Sequence, residues 1–418
     1  MGKIGIFGGS FNPPHIGHIL AAEEMLRCLE LDRLYLVPAA VPPHKKLAPD
    51  SPDAAGRKRL LELALADHPG LALCDLELQR GGTSYTADTL AQLRQMHPGD
   101  TLYLLMGSDM FLSLHEWYKP ESVLAQGPIV LMRRQTEDPE LEEKLARQQV
   151  ALEREYGARV IRAENRFVDL SSTRVRRMLA FGCGEAYLDP AVHEEIMRQG
   201  YYGVHEDLRN LPMERLRRKV VSLLKPARVA HVLGCCNTAA ELARRWGADE
   251  TDAARAGMLH DITKALNAEE QLILCEKYDI MISGFERENP KLLHAKTGAT
   301  IAREVFGEND AVFDAIWWHT TGTANMNLLQ KILYLADYME PNRKFDGVQL
   351  LRDQVAVDID LALYTALEMS VQVLEEKGAL VDYNSRSARD YMKQQLEGRE
   401  RNKEKAYTGA ELPVSQEK

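Results

Sequence analysis

The chain of 418 residues carries 52 Lys and Arg against 62 Asp and Glu, a net charge of −10, and 45% of its residues are hydrophobic. This length predicts two or three domains, and the acidic balance argues against a nucleic-acid partner. The six cysteines form no CxxC pair and indicate no disulfide framework. Since the sequence also shows no signal-peptide core and no apolar run of roughly 20 residues, we expect a cytoplasmic protein without a membrane partner.

Short apolar runs alternate with helix-spaced segments over the first 204 residues. This alternation predicts an α/β doubly wound parallel sheet. The predicted strands are Lys3–Phe7, Leu34–Val37, Leu71–Leu78, Thr101–Met106, Ile129–Met132 and Arg159–Arg162. The predicted helices are Ile16–Cys28, Gly56–Ala66, Ala87–Met96, Pro139–Tyr156 and Thr173–Phe181.

The pattern changes near residue 200, where Gly200–Asn210 shows no clear periodicity. We therefore predict one domain over 1–204, an all-α domain over 205–393, and a frayed polar tail over 394–418. The helices predicted after the boundary are Met213–Leu223, Arg228–Trp246, Thr251–Leu259, Ala268–Lys277, Leu293–Val305, Asp310–His319, Leu328–Tyr338 and Ile359–Lys377.

Two histidines and a glycine pair follow the first predicted strand and open the first predicted helix. Ligands bind at this position in α/β sheets. Gly8 and Gly9 let the backbone approach a phosphate closely, and the helix N-terminus favours an anion. His15 and His18, three residues apart, face the same side and can donate to phosphate oxygens in a transition state. The full string is Gly8-Gly9-Ser10-Phe11-Asn12-Pro13-Pro14-His15-Ile16-Gly17-His18.

This string resembles the signature of the HxGH nucleotidyltransferase superfamily, a Rossmann-like fold, and in detail that of nicotinate-mononucleotide adenylyltransferases. Four further patches fit the same family and spread the resemblance over residues 3–200. They are Pro42-Pro43-His44-Lys45, Thr83–Leu90, Gly107-Ser108-Asp109 with Trp117, and Ser171–Arg176. Phosphopantetheine adenylyltransferase is the neighbouring alternative. A class I aminoacyl-tRNA synthetase, which has a similar HIGH string, is disfavoured because no long basic anticodon-binding region is present.

The resemblance implies transfer of AMP from ATP to nicotinate mononucleotide, with Mg²⁺, giving deamido-NAD and pyrophosphate. His15 and His18 are the implied catalytic residues. The implied ATP-binding residues are Gly8, Gly9, Ser10, Phe11, His15, His18, Ser172, Thr173 and Arg174. Those implied for nicotinate mononucleotide are Lys45, Tyr85, Thr86, Asp109 and Trp117. Core packing for Trp117, a helix cap for Asp109 and a solvated Lys45 stay open as alternatives.

The helical half carries a series of histidines and aspartates in the order H…HD…H…H…D. Imidazole and carboxylate are the ligand types that suit Fe, Mn and related divalent ions. A metal at such a site lowers the pKa of a hydrolytic water and polarises a phosphoryl oxygen. The candidate metal ligands, numerous enough for two ions of Fe²⁺ or Mn²⁺, are His231, His260, Asp261, His294, His319 and Asp337.

The string His260-Asp261-Ile262-Thr263-Lys264 resembles the H-D-x-x-K of HD-domain hydrolases. Finer resemblance is to the HD hydrolases that cleave diadenosine tetraphosphate symmetrically into two ADP, over residues 209–392. It implies a catalytic Asp261 and a set of nucleotide-binding residues. These are Arg228, His231, Asp261, Lys264, His294, His319, Thr320, Asp337, Arg343 and Asn384. The pair Trp317-Trp318 departs from the pattern, being bulkier than expected beside a metal site.

Together the two halves predict a multifunctional enzyme of NAD biosynthesis and nucleotide hydrolysis. Two alternatives stay open for the helical half: hydrolysis of another nucleotide phosphoester, or a nucleotide-sensing module with little catalysis. Assembly into a homo-oligomer also stays open.

Overall fold

The structure is a computed structural model that describes residues 2–43, 46–132, 138–163 and 170–408, with side chains through 402. The chain divides into two compact units, Met1–Glu206, here called the α/β unit, and Asp207–Lys418, here called the helical unit. The division lies two residues beyond the predicted boundary.

Six parallel strands form one sheet among the described residues of the α/β unit. They are β1 (Lys3–Gly9), β2 (Arg33–Pro38), β3 (Leu71–Leu73), β4 (Thr101–Gly107), β5 (Ile129–Met132) and β6 (Val160–Ala163). Their order is β3-β2-β1-β4-β5-β6. The predicted doubly wound α/β sheet is thus confirmed. Strand order reverses between β1 and β4, so the loops after these two strands meet at the crevice where such sheets bind ligands.

Helices connect the strands and bury apolar residues against the sheet. In chain order they are α1 (Ile16–Cys28), α2 (Ala54–Leu65), α3 (Leu76–Arg80), α4 (Thr86–Met96), α5 (Ser108–Leu112), α6 (Pro120–Leu124), α7 (Pro139–Tyr156), α8 (Ser172–Ala180) and α9 (Pro190–Gln199). Local sequence sets the ends of α7: Asp138 accepts from the Glu140 and Leu141 N–H groups, Pro139 occupies the first turn, and Gly157 ends the helix with φ of 62°.

The strand predicted over Leu71–Leu78 is wrong beyond Leu73. β3 is an edge strand whose pairing with β2 ends there, and the chain turns into α3. The turn is held by Asp75, whose carboxylate accepts from Lys58 at 2.6 Å and from Gln79 at 2.7 Å. Apolar alternation alone could not show that the partner strand had ended.

The helical unit is all-α over its described residues, as predicted. Its helices are α10 (Met213–Leu223), α11 (Pro226–Trp246), α12 (Glu250–Leu259), α13 (Ala268–Lys277), α14 (Gly284–Glu288), α15 (Leu293–Glu304), α16 (Asp310–Trp318), α17 (Leu328–Met339), α18 (Val348–Val355), α19 (Ile359–Glu376) and α20 (Tyr383–Thr408). Capping boxes begin α13 at Asn267 and α17 at Asn327.

The tail predicted over 394–418 begins inside α20, which continues to Thr408. Polar composition concealed this helix because most of its residues are exposed beyond Met392, while Ala388 and Met392 on its first turns are buried. Among the described helices, none has the length and apolar character needed to cross a bilayer.

Candidate functional site

The paired histidines of the α/β unit lie at the reversal point of the sheet. His15 is the N-cap of α1, directly after the loop that leaves β1. Its ring stacks on that of His18, with centroids 3.6 Å apart and planes inclined by 24°. The His15 main-chain N–H donates to Nδ1 of His18 at 3.2 Å. Phe11 packs edge-on against His18, with centroids 5.0 Å apart.

The imidazole of His15 is a buried polar group without a hydrogen bond. It is 4% exposed, and neither of its ring nitrogens has a partner among the described residues. Burial, with smaller contributions from His18 and Arg174, lowers the pKa of His15 to about 2. Burial lowers the pKa of His18 to about 3. Both rings are therefore neutral near pH 7, and His15 offers an unused hydrogen-bonding group to a ligand.

Gly17 explains why the middle of this motif needs a glycine. A Cβ at Gly17 would lie 3.2 Å from the His15 ring and 3.4 Å from Cβ of Leu170, which leads into α8. The glycine lets the imidazole and the Leu170 segment pack side by side. Gly17 was not among the residues of the motif that the sequence predicted for the site.

The other predicted ATP-binding residues, Ser172, Thr173 and Arg174 at the start of α8, lie beside the histidine loop. Ser171 caps α8 by accepting from the Arg174 N–H at 3.3 Å. The Ser172 hydroxyl donates to the Pro13 carbonyl at 2.9 Å, so it ties the helix to the loop. Arg176, which was not predicted as a site residue, donates to Thr173 Oγ1 at 3.2 Å and also to the Asn12 carbonyl.

Arg57 is a further residue that the sequence did not reveal. It is 2% exposed and donates to the Ala39 carbonyl at 2.5 Å and the Ala40 carbonyl at 3.0 Å. A longer contact of 3.4 Å reaches the Ser10 carbonyl. One buried guanidinium thus joins the loops that follow β1 and β2. A lone arginine in an amphipathic helix carries no sequence signal for this role.

The residues predicted for nicotinate mononucleotide occupy the carboxyl side of the sheet. Asp109 is exposed in the first turn of α5, just after β4, and Thr86 begins α4. The Tyr85 ring contacts that of Tyr118, with centroids 4.5 Å apart. Trp117 is half-buried and packs against the hydrophobic core. Lys45 lies outside the described residues.

In the helical unit, five helices bring the six predicted metal ligands together. His231 lies on α11, the pair His260-Asp261 follows α12, and the other three lie on α15, at the end of α16 and on α17. Gly257 permits this assembly, since a Cβ there would lie 2.8 Å from Cα of Cys236 on α11. The close approach of α11 and α12 places His231 beside His260.

Asp261 is shared between two groups of donor atoms. Its Oδ2 lies 3.6 Å from Nε2 of His231 and 3.5 Å from Nε2 of His260. Its Oδ1 lies 3.4 Å from Nε2 of His294 and 3.9 Å from Nε2 of His319. Asp337 joins the first group, with Oδ1 3.1 Å from Nε2 of His231. Both groups are spaced to hold a metal ion, and we call this arrangement the shared-aspartate cluster.

All four imidazoles turn Nε2 toward this cluster because Nδ1 is held elsewhere. Nδ1 of His260, His294 and His319 donates to the main-chain carbonyls of Gly257, Lys291 and Ile316, at 2.8, 2.5 and 2.6 Å respectively. Nδ1 of His231 instead donates to the Glu340 carboxylate at 3.1 Å. Such partners fix the tautomer and orient metal-binding imidazoles. The donor set therefore fits divalent transition metals.

Glu340 had not been predicted as a site residue, although it lies three positions after Asp337. It is 1% exposed, and its second oxygen accepts from the main-chain N–H of Asn342 at 2.7 Å. Gly234, one turn after His231, leaves room for it, since a Cβ there would overlap the Glu340 carboxylate. The Glu-Pro pair that closes α17 was a sequence signal for this residue.

Electrostatics keep the cluster ready for a metal. Burial lowers the pKa of His260 and His294 well below the usual range, and that of His319 to about 4. Burial alone would raise the pKa of Asp337, but the His231 hydrogen bond and electrostatic interactions with the His260 ring and the Arg343 guanidinium hold it well below its usual range. Neutral imidazoles and ionised carboxylates are the protonation states that metal binding requires.

Three predicted phosphate-binding cations converge on the cluster. Arg228 pairs with Asp261, and Arg343 donates to Asp337 Oδ1 at 2.6 Å. Lys264 Nζ lies 2.9 Å from Nε2 of His294. Burial lowers the pKa of Lys264 to about 8.

The last two residues predicted to bind the nucleotide in the helical unit, Thr320 and Asn384, lie in different places. Thr320 Oγ1 lies 3.4 Å from Nε2 of both His294 and His319, so it belongs to the cluster. Asn384 lies in the first turn of α20 and lines a cleft together with Trp317 and Trp318.

The fold and sites define the class of each half: an α/β nucleotidyltransferase-type unit followed by a helical HD domain. A cytidylyltransferase-like family model matches residues 6–178, and an HD domain model matches residues 228–342. A probable nicotinate-nucleotide adenylyltransferase of Syntrophotalea carbinolica is 38% identical over 216 residues, which cover 49% of this chain and 99% of that protein. The corresponding protein of Chromohalobacter salexigens is 37% identical, over 48% of this chain and 95% of its own length. The chain belongs to the nicotinate-nucleotide adenylyltransferase family and carries an additional HD domain.

Solved structures resemble each half separately. An HD superfamily hydrolase of Clostridium acetobutylicum, described as involved in NAD metabolism, is 33% identical over 44% of this chain and 98% of its own, with a TM-score of 0.43. A nicotinic acid mononucleotide adenylyltransferase of Plasmodium falciparum, complexed with NaAD, is 18% identical over 49% of this chain and 98% of its own, with a TM-score of 0.40.

Proposed function

We propose that the α/β unit transfers AMP from ATP to nicotinate mononucleotide, releasing pyrophosphate. The observation that carries this proposal is the buried, neutral His15 with two unused ring nitrogens, stacked on His18 at the sheet's reversal point. The family of the relatives supports the choice of nicotinate mononucleotide.

The reaction needs positioning and charge stabilisation more than proton transfer. The attacking phosphate is already ionised, so no general base is required, and catalysis rests on holding the phosphates in line. His15 and His18 donate hydrogen bonds to ATP phosphates as charge builds on them. The loop that the ATP phosphates approach consists of Gly8, Gly9, Ser10 and Phe11. A second phosphate is held at the start of α8 by Ser172, Thr173 and Arg174.

Magnesium enters this reaction with the nucleotide. Among the described residues of the α/β unit, no three His, Cys, Asp or Glu ligand atoms lie close enough to hold an ion. We therefore assign Mg²⁺ to the ATP phosphates, where it neutralises charge.

The nicotinate mononucleotide site is assigned to the carboxyl side of β4 and the start of α4. Asp109 contacts ribose, and Tyr85 with Thr86 lies near the nicotinate carboxylate. Trp117 presents its ring to the pyridine, and Lys45 reaches a phosphate. The contact between Tyr85 and the exposed Tyr118 supports an aromatic wall at this position.

A His18→Ala variant of the full chain tests the first reaction. Deamido-NAD formation from ATP and nicotinate mononucleotide should fall about 100- to 1000-fold, as for loss of one phosphate-stabilising donor. His68→Ala, at an exposed ion pair with Glu23, is the matched control. Wild type that is inactive with nicotinate mononucleotide but active with another phosphate acceptor would overturn the substrate assignment.

We further propose that the helical unit hydrolyses diadenosine tetraphosphate to two ADP at the shared-aspartate cluster. The single carboxylate of Asp261 lying between two pairs of imidazoles carries this proposal. Such an arrangement suits two ions of Fe²⁺ or Mn²⁺. When bound, these ions lower the pKa of the attacking water and polarise a phosphoryl oxygen.

The chain's own residues bind and orient the polyphosphate. Arg228 and Arg343 offer planar donor forks that match phosphate oxygens, and Lys264 and Thr320 add donors beside His294. Arg228 pairs with Asp261 and Arg343 pairs with Asp337, so both guanidinium groups lie where the phosphates of a substrate bound at the metal site would be held.

Metal analysis and turnover of diadenosine tetraphosphate by wild type and Asp261→Ala test the second reaction. We expect bound metal and ADP formation in wild type and loss of both in the variant. If wild type binds metal and hydrolyses another phosphoester but not diadenosine tetraphosphate, the substrate assignment is wrong and the other phosphoester replaces it. Equal metal content and equal ADP formation in wild type and Asp261→Ala would instead favour a nucleotide-sensing module.

The free thiols support a proposal about the cellular location. All six cysteines are free, and five of them are buried. We propose a cytoplasmic location, where such thiols stay reduced.

A further inference from the structure

Tyr202 occupies a strained backbone position in the last segment of the α/β unit. Its φ of 61° and ψ of 22° lie in the left-handed region, which is costly for a residue with a bulky side chain. Gly200 and Gly203 adopt the same region, with φ of 71° at each, and glycine does so without steric cost. The main-chain N–H of Tyr202 donates to the Asp50 carbonyl at 2.9 Å. A tyrosine at this position therefore needs further interactions in the folded chain that offset the cost of its backbone conformation.

The side chain of Tyr202 supplies such an interaction by contacting the loop that follows β1. It is 3% exposed, and its hydroxyl donates to Oδ1 of Asn12 at 2.8 Å. Asn12 is itself buried, and its Nδ2 donates to Oγ of Ser51 at 2.6 Å. Burial is the largest cause that raises the pKa of Tyr202 above its ordinary value, so the hydroxyl stays protonated and remains a donor. One buried hydrogen bond thus joins two parts of the chain that are 190 residues apart.

Asn12 lies three residues before His15, and the chain between them is stiff. Pro13 and Pro14 occupy the two intervening positions, and the ring of each proline fixes its φ. The Pro13 carbonyl also accepts from the Ser172 hydroxyl at 2.9 Å, which restrains the same stretch from the side of α8. The position of Asn12 therefore determines where the backbone of His15 lies.

His15 depends on this support because its ring has no hydrogen bond of its own among the described residues. Its contact with His18 is a stack of the two rings, so the direction of the His15 imidazole is set by its backbone and by packing. A shift of about 1 Å in a group that holds reacting atoms can cost about 100-fold in rate. A residue that fixes Asn12 can therefore control the rate without contacting a nucleotide.

We infer that Tyr202 is a positioning residue for adenylyl transfer, acting through Asn12 on the loop that carries His15. The segment that contains Tyr202 leads to the helical unit, which begins at Asp207. This segment therefore completes the nucleotide site of the α/β unit as well as connecting the two units along the chain. The inference deepens the proposed adenylyltransferase function and rests on it for the reaction that is measured.

The variant Tyr202→Phe of the full chain removes the hydroxyl and keeps the ring. We expect kcat for deamido-NAD formation, normalised to the folded fraction, to fall about 10- to 100-fold. The KM for ATP should change less than about threefold, because His15 acts on charge that builds in the transition state. Tyr201→Phe removes a hydroxyl from the neighbouring residue, which lies beside Gly56 of α2, and should keep the wild-type kcat. Circular dichroism during thermal unfolding gives the folded fraction of each protein.

A double-mutant cycle separates positioning of His15 from a general effect on the fold. In a His15→Ala background, Tyr202→Phe should lower kcat by less than about twofold, since a residue that acts through His15 has no further effect once that ring is absent. An equal fall of kcat in both backgrounds overturns the inference. Unchanged kcat in Tyr202→Phe, or a fall in rate that the loss of folded protein accounts for, overturns it as well.

The His15 ring also gives a readout that does not depend on the reaction. Its side-chain nitrogen resonances, assigned by comparison with His15→Gln, should move in the NMR spectrum of Tyr202→Phe and stay in place in Tyr201→Phe. If wild type forms no deamido-NAD, the proposed reaction fails, and these resonances still decide whether Tyr202 positions His15. Unmoved His15 resonances in Tyr202→Phe overturn the inference. If Tyr202→Phe does not fold, Asn12→Leu removes the acceptor of the same hydrogen bond and is measured in its place, with the same expected outcomes.

Discussion

His15 shows how a single buried group links function to stability. The unfolded chain binds a proton on this imidazole near its ordinary pKa of 6.5, whereas burial holds the folded pKa at about 2. Between these values the unfolded state binds more protons, so stability rises with pH and is lost as the pH falls below 6.5. Burial thus keeps the proposed phosphate donor neutral and lowers the stability of the fold in acid.

We predict that replacing His15 removes part of this acid sensitivity. The stability advantage of His15→Gln over wild type should grow by about 1.4 kcal/mol for each pH unit below 6.5. Denaturant unfolding of the full chain between about pH 7 and 5 measures this. Parallel curves for the two proteins would show that His15 is protonated in the folded state.

Glu340 is the residue that makes the two halves of the shared-aspartate cluster unequal. Among the described residues it holds Nδ1 of His231 with a carboxylate, whereas Nδ1 of the other three candidate metal-binding imidazoles is held by main-chain carbonyls. We predict that Glu340→Gln weakens metal binding about 10- to 100-fold at the ion held by His231, and that Gly234→Ala, which displaces Glu340, does the same.

Titration with Mn²⁺ followed by electron paramagnetic resonance measures the Mn²⁺ affinity of both variants. Glu269→Gln, on the exposed face of α13, should match wild type. Retention of wild-type affinity in Glu340→Gln would mean that the His231 tautomer is fixed by the fold alone.

At the scale of elements, α2 positions the nucleotide loops through Arg57. Its guanidinium donates to carbonyls after both β1 and β2, and burial lowers its pKa. We predict that Arg57→Met destabilises the α/β unit by about 2–4 kcal/mol, because buried carbonyls lose their donors, and raises the KM for ATP.

Thermal unfolding and initial-rate kinetics measure this pair of effects. Arg59→Met, two residues along the same helix at an exposed position, should change neither. A destabilised Arg57→Met with unaltered KM for ATP would assign Arg57 to folding only.

At the scale of the whole molecule, two compact units each contain a complete set of candidate site residues. We predict that Mn²⁺ raises the unfolding temperature of the helical unit alone, since a metal held at 100 times its Kd adds about 2.7 kcal/mol to the folded state. Differential scanning calorimetry of the full chain, with and without Mn²⁺, measures this.

The Asp261→Ala variant serves as the control, since its transitions should not respond to Mn²⁺. Deamido-NAD formation by the same variant, with Mg²⁺ supplied, should equal that of wild type. A Mn²⁺-dependent shift of both transitions in wild type would show that the units unfold together.

Sequence determined much of this protein because its signals are local. Strand–helix alternation predicted the parallel sheet, the string from Gly8 to His18 predicted a phosphate site after β1, and residue type and order predicted the six candidate metal ligands of the helical half. Periodicity also located α1, α7 and α13 to the residue, since caps and apolar spacing act within a few turns.

Tertiary structure alone decided what depends on distant partners. The end of β3 depends on its neighbouring strand, the burial of Arg57 depends on the loops after β1 and β2, and the burial of Glu340 depends on α11. The sharing of Asp261 between two imidazole pairs arises only when five helices pack. Such features follow from side-chain directions in space, which residue order along the chain does not contain.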